Sequence, residues 1–135
     1  HNLDRYAKAH ELILYAGPFG GETTRSTDIW EFERDYKPEH PTPKPVELVS
    51  KAIETTESRT IFDPFLGSGT TLIAAEQLGR TCYGIEISEN YVDVCVKRWE
   101  KFTQRKAILE STGQTFEEVA QQRATQLESN ADKAQ

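Results

Sequence analysis

Apolar positions along this chain fall in short runs that alternate between strand and helix spacing. Glu11-Leu12-Ile13-Leu14-Tyr15-Ala16 is a near-continuous apolar run of strand length, stopped by Gly17-Pro18, and predicts a short buried strand. Residues 20 to 40 hold Gly20-Gly21, several threonines and the aromatics Trp30, Phe32 and Tyr36. They read as a loop with one short extended piece at Ile29 to Phe32. The spacing then turns helical. Thr42 can cap, Pro43 suits the first helical position, and Val46, Val49, Ala52 and Ile53 make a stripe, so a helix is expected to end near Ser58.

A compact alternation follows. Thr60 to Asp63 reads as a strand, Gly67-Ser68-Gly69 as a tight turn, and Thr70 to Leu78 as a helix closed by Gly79. Thr81 to Ile87 is a second strand. Ser88 can cap a helix that carries Val92, Cys95, Val96, Trp99 and Phe102 on one side. Strand, helix, strand, helix is the pattern of a parallel α/β sheet. Beyond Thr103 the chain turns polar. Thr115-Phe116-Glu117-Glu118 has capping-box spacing and opens an amphipathic helix with Phe116, Val119, Ala120, Ala124 and Leu127, expected to fray from about Ser129. Residues 1–107 thus read as one α/β portion and 108–135 as a peripheral helix and tail.

Composition narrows the function classes. The chain has 135 residues, one domain's worth or part of a larger one. No apolar run approaches the ~18 residues of a membrane span, and the first residues lack a charged-then-apolar leader pattern, so a cytoplasmic protein is expected. Two cysteines, Cys82 and Cys95, make neither a disulfide scaffold nor a zinc site and read as small core residues. His1, His10 and His40 have no metal spacing, so no metal is expected. The formal net charge of −6 gives no support to autonomous DNA affinity. Lys97, Arg98 and Lys101 share a helix with Glu100 and read as a solvated face, and Trp30 reads as core or loop packing.

The candidate chemistry lies in Phe62-Asp63-Pro64-Phe65-Leu66-Gly67-Ser68-Gly69-Thr70-Thr71. Glycines between a strand and a helix let the backbone turn and approach a ligand, and the free amides of the helix start favour an anionic group. Glu86, about 23 residues after Asp63, stands where an acid at a strand end can accept both hydroxyls of a ribose. Together they point to a nucleoside-bearing cofactor. Leu72 replaces the third glycine of the dinucleotide fingerprint and no lysine follows Gly69, so the usual pyrophosphate anchors are missing. Asp63 adds negative charge, which suits an amine or a sulfonium better than phosphates. S-adenosylmethionine has both, plus a carboxylate.

With His40-Pro41-Thr42-Pro43-Lys44-Pro45, Gly84-Ile85-Glu86-Ile87, Tyr91 and Lys97-Arg98-Trp99, this run resembles the C-terminal, cofactor-binding half of the DNA amino-methyltransferases acting on adenine N6 or cytosine N4, with the cofactor motifs last in the chain. The resemblance spans roughly residues 10 to 107. It implies a Rossmann-like S-adenosylmethionine-dependent methyltransferase fold with a mostly parallel sheet. Phe65, Gly67, Gly69 and Thr70 match the cofactor loop. Asp63 would face the methionine part, Glu86 the ribose and Ile87 the adenine, while Thr42 and Lys44 match the segment at the carboxylate end. Thr42 as a plain cap and Lys44 as a solvated charge stay open.

The family's Asp/Asn-Pro-Pro-Tyr/Phe segment, which holds the target amine, occurs nowhere in these residues, so no catalytic residue is assigned. The sheet implied by the resemblance is therefore incomplete, with edges and one face exposed. DNA would be met through the missing half or a partner chain. A fragment of a longer product, a second polypeptide carrying the base-holding half, and self-association to cover the gap all fit. The expected function is the cofactor-binding part of a site-specific DNA methyltransferase. The alternatives are a catalytically silent module or partner subunit keeping the cofactor fold, and binding of a different adenine nucleoside.

Overall fold

A computed structural model describes residues 29–32 and 44–133, with side chains described as far as Leu127. The predicted strand at Glu11 to Ala16, Thr42, Pro43 and the three histidines lie outside the described residues. Ile29 to Phe32 forms no regular element, contrary to the extended piece expected there. The Lys51 ammonium lies 4.8 Å from the Trp30 ring centroid and 5.9 Å from that of Phe32.

Helix α1 runs Val46–Glu54 and is shorter at both ends than its stripe suggested. Its N-cap is Pro45, at ψ 134 and without a side-chain cap. Lys44 precedes a proline, which steers it away from helical geometry, and the helix starts only after Pro45. At the far end the Thr55 and Thr56 hydroxyls donate to the carbonyls of Ala52 (2.7 Å) and Ile53 (3.0 Å) and close the helix before Ser58. Arg80 Nη1 donates to the Ile53 and Ser58 carbonyls at 2.8 and 3.1 Å, supplying positive charge to a helix C-terminus.

Strand β1 (Thr60–Asp63) pairs in parallel with β2 (Thr81–Gly84), Thr60 opposite Thr81 and Asp63 opposite Gly84. Between them α2 runs Thr70–Gln77. It closes in a Schellman motif, with the Gly79 amide on the Glu76 carbonyl and the Arg80 amide on that of Ala75, as Gly79 foretold. β2 stops short of the predicted Ile87 because its partner does. β1 turns away at Pro64, and only Ile85 prolongs the pairing, donating to the Asp63 carbonyl and accepting from the Leu66 amide.

Ile53, Ala74 and Ala75 form the buried centre, with Val46, Val49, Ile61, Leu78 and Cys82 packed on it. Ala74 and Ala75 are fully buried, and their small side chains let α2 lie close to both α1 and the sheet. The period of two then sends Phe62 and its register partner Tyr83 to the opposite face, where each is 62% exposed. Among the described residues the sheet has two strands and one bare face, as the incomplete pattern anticipated.

Helix α3 (Glu89–Thr103) starts at Ser88 as predicted, but the Ser88 side chain makes no cap bond. Its stripe is buried at Cys95, while Val92 and Phe102 are exposed. A two-residue hairpin, β3 (Ile108–Leu109) with β4 (Gln114–Thr115), was not foreseen, since strands this short show no period. Helix α4 (Phe116–Lys133) opens with the predicted capping box. The Thr115 amide donates to Glu118 Oε2 at 2.7 Å and the Glu118 amide to Thr115 Oγ1 at 3.3 Å. The helix continues past Ser129, where fraying was expected, to Lys133. No helix among the described residues is long and apolar enough to cross a membrane.

Candidate functional site

The chain between β1 and α2 is a tightly bonded loop. Asp63 Oδ1 accepts the Phe65 amide at 2.9 Å, forming a turn around Pro64, and the Leu66 amide reaches the Ile85 carbonyl at 3.0 Å. Gly67 and Gly69 then take φ of 55° and 81°. Gly69 has a second reason to lack a side chain, because a Cβ there would stand 3.0 Å from Cys95 Sγ.

Glu86 closes the loop from the β2 side. Its Oε2 accepts the Gly67 amide at 2.7 Å and its Oε1 the Ser88 amide at 2.8 Å. These bonds, Ser88 first and then Gly67, hold the carboxyl below the usual glutamate range. The bond to Ser88 turns the chain at Ile87, which is 98% exposed, and Phe65 on the facing loop is 88% exposed. Each carboxylate oxygen keeps a lone pair for a further donor.

The first bond of α2 runs from the Ile73 amide to the Gly69 carbonyl, so the Thr70, Thr71 and Leu72 amides precede the helical ladder. No side chain caps them and no acid occupies the first turn. That end can accept an anionic group.

Asp63, Phe65, Gly67, Gly69, Thr70, Glu86 and Ile87 are therefore assembled around one loop. Lys44 is exposed on a different segment, directly before Pro45. Two residues at this loop were not assigned to it from sequence. Cys95 Sγ donates to the Gly67 carbonyl at 2.9 Å, and burial pushes this thiol up to about 11. Arg98 is half-buried, in contrast to the exposed Lys97 and Lys101, and this corrects its reading as part of a solvated face. Its Nη1 donates to the Ser68 carbonyl (3.2 Å), Ser68 Oγ (3.4 Å) and Thr70 Oγ1 (3.2 Å). The signal available was spacing, since Arg98 follows the buried Cys95 by one helical turn.

The sequence profile of the DNA methylase family matches residues 20–97, a stretch that contains the loop, Glu86 and Cys95. The chain belongs to this DNA methylase family. Among relatives, it is 40% identical over 102 residues to the type II methyltransferase M2.DpnII of Streptococcus pneumoniae, covering 74% of this chain and 36% of that protein. It is 36% identical over 85 residues to the type II methyltransferase M.ScaI of Streptomyces caespitosus, covering 55% and 28% respectively. Among solved structures, the M1.HpyAVI–SAM complex aligns at TM-score 0.46 and 31% identity, over 63% of this chain and 43% of that one. This methylase chain spans about a third of the length of the curated relatives it matches. Membership bears out the family resemblance drawn from the glycine run and Glu86.

Proposed function

We propose that this chain is the S-adenosylmethionine-binding portion of a DNA methyltransferase that modifies an exocyclic amine, adenine N6 or cytosine N4. In the complete enzyme the cofactor motifs come last. The observation that carries this reading is the Glu86 carboxylate bonded to the Gly67 amide, which joins the two sequence signals into one pocket mouth.

The residues fit the group. Glu86 retains lone pairs for the two ribose hydroxyls. The Thr70, Thr71 and Leu72 amides and the uncompensated dipole of α2 suit the methionine carboxylate. Asp63 uses Oδ1 for the Phe65 amide, leaving Oδ2 for the amino group. Exposed Phe65 and Ile87 offer apolar surface for the adenine. Thr42 and Lys44 belong to the carboxylate end in this reading, as the resemblance implies. When bound, the cofactor supplies an electrophilic methyl on a sulfonium sulfur, and this chain's contribution is to hold the donor in one orientation. The base-holding side is assigned to the rest of the complete enzyme, to a second polypeptide or to a second copy, and DNA is met there. Residues 1–107 form the cofactor portion and 108–135 a peripheral element. The relatives' description as type II methyltransferases supports the activity class.

Isothermal calorimetry tests the reading. The folded chain is expected to bind S-adenosylmethionine and its demethylated product. No heat at about millimolar ligand, which means binding weaker than roughly −4 kcal/mol, overturns it. The chain alone is expected to place no labelled methyl on DNA.

A further inference from the structure

The glycine loop is held from behind by a cation with no counter-ion among the described residues. Arg98 donates to three neutral oxygens of Ser68 and Thr70, and no carboxylate pairs with it among the described residues. Arg105 pairs with Glu76, whereas Arg80, like Arg98, donates to neutral oxygens, the Ile53 and Ser58 carbonyls and Thr56 Oγ1, at the C-terminus of α1. The half-buried Arg98 guanidinium places its positive charge against the neutral oxygens of the loop. Its place is directly beneath a helix start that also lacks an acid. The two observations are independent, one a side chain from α3 and one the backbone of α2, and both put positive potential at the loop.

We propose that Arg98 is a positioning residue for the carboxylate end of the cofactor. By fixing the Ser68 carbonyl and the Thr70 hydroxyl it holds the turn that presents the first amides of α2, and its charge makes that spot selective for an anionic group. The proposal rests on the cofactor reading above. Nη1 carries two hydrogens for these three oxygens, so its bonds are shared among them. Lysine brings the charge on a different stem and is expected to replace the contacts only in part. Cys95, one turn earlier on α3, takes the Gly67 carbonyl at 2.9 Å, so one helix face supports the loop at two points. Arg98 is thereby separated in role from Glu86, which holds the loop at the ribose side.

The test compares two ligands and three proteins. S-adenosylhomocysteine carries the carboxylate, and adenosine does not. In the full chain, Arg98→Met is expected to weaken the first about tenfold or more, the scale of a lost hydrogen bond to a charged group, and adenosine less than about threefold. Arg98→Lys is expected to recover part of the loss. Amide exchange in Arg98→Met should quicken at Gly67 to Leu72 and stay unchanged in the α1 core. Equal weakening of both ligands, or none of either, overturns the proposal. If the wild-type chain binds neither ligand, the cofactor reading falls by itself. Exchange at the loop then still judges Arg98, and unchanged exchange there overturns its positioning role.

Discussion

Gly69→Ala separates two strains that the loop avoids. At φ 81° and ψ 26° the residue is left-handed, which costs a residue with a Cβ about 1–2 kcal/mol. The new Cβ would also stand 3.0 Å from Cys95 Sγ and 3.4 Å from Cys95 Cβ, both in a buried place, and overpacking of this kind adds about 1 kcal/mol or more. The expected loss of stability is about 2–3 kcal/mol or more, the sum of these two terms. Cys95→Ala removes the sulfur but not the backbone strain. In a double-mutant cycle it should return about 1 kcal/mol of coupling and leave the left-handed cost of about 1–2 kcal/mol in place. Urea titration followed by circular dichroism measures all four proteins. Gly69→Ala within about 0.5 kcal/mol of the parent, or a coupling of zero, would refute the account of this turn.

Three further outcomes are expected. The Glu86 carboxyl is held low in the fold, so the stability it lends to the loop is complete above the ordinary glutamate range and is lost as pH falls through its depressed value; acid-shifted titration of the Gly67 and Ser88 amide resonances checks this, and Glu86→Gln should abolish that titration. Thr115→Ala removes the hydroxyl that bonds Glu118 and its amide, and should lower α4 helicity with a cost of about 1 kcal/mol; unchanged helicity by circular dichroism would sink the capping box. Gly84→Ala places a Cβ 2.6 Å from Leu66 Cδ2 and should destabilise by about 1 kcal/mol, with Leu66→Ala in the same chain relieving the clash; additive losses would contradict it.

The parts legible in sequence are those whose cause is local. Gly79 ends α2 with its amide on the Glu76 carbonyl and the next amide, Arg80, on that of Ala75, and Thr115 with Glu118 opens α4 within a single turn, so their spacing is already the mechanism. The α1 boundary misled for a local reason that was present but outweighed. Thr42-Pro43 looks like a cap and first position, yet Pro45, two residues after Pro43 and next to the apolar stripe, is the N-cap. The β3–β4 hairpin contains too few residues to form any period.

The site divides along the same line. Gly67, Gly69 and Glu86 were legible because a turn and a strand-end acid each leave a local signature, although their bond crosses 19 residues. Arg98 was not, because a charged residue on an amphipathic helix has the same local pattern whether it meets water or a carbonyl. What distinguishes it is that α3 packs over the loop it serves, 28 residues from Thr70. The glycine sequence permits the turn without by itself selecting it, since glycine has many conformations open to it. Selection comes from three distant side chains, with Glu86 on the Gly67 amide, Cys95 on the Gly67 carbonyl and Arg98 on Ser68 and Thr70. A chain that kept both glycines but lost those three would retain the motif and lose the pocket mouth.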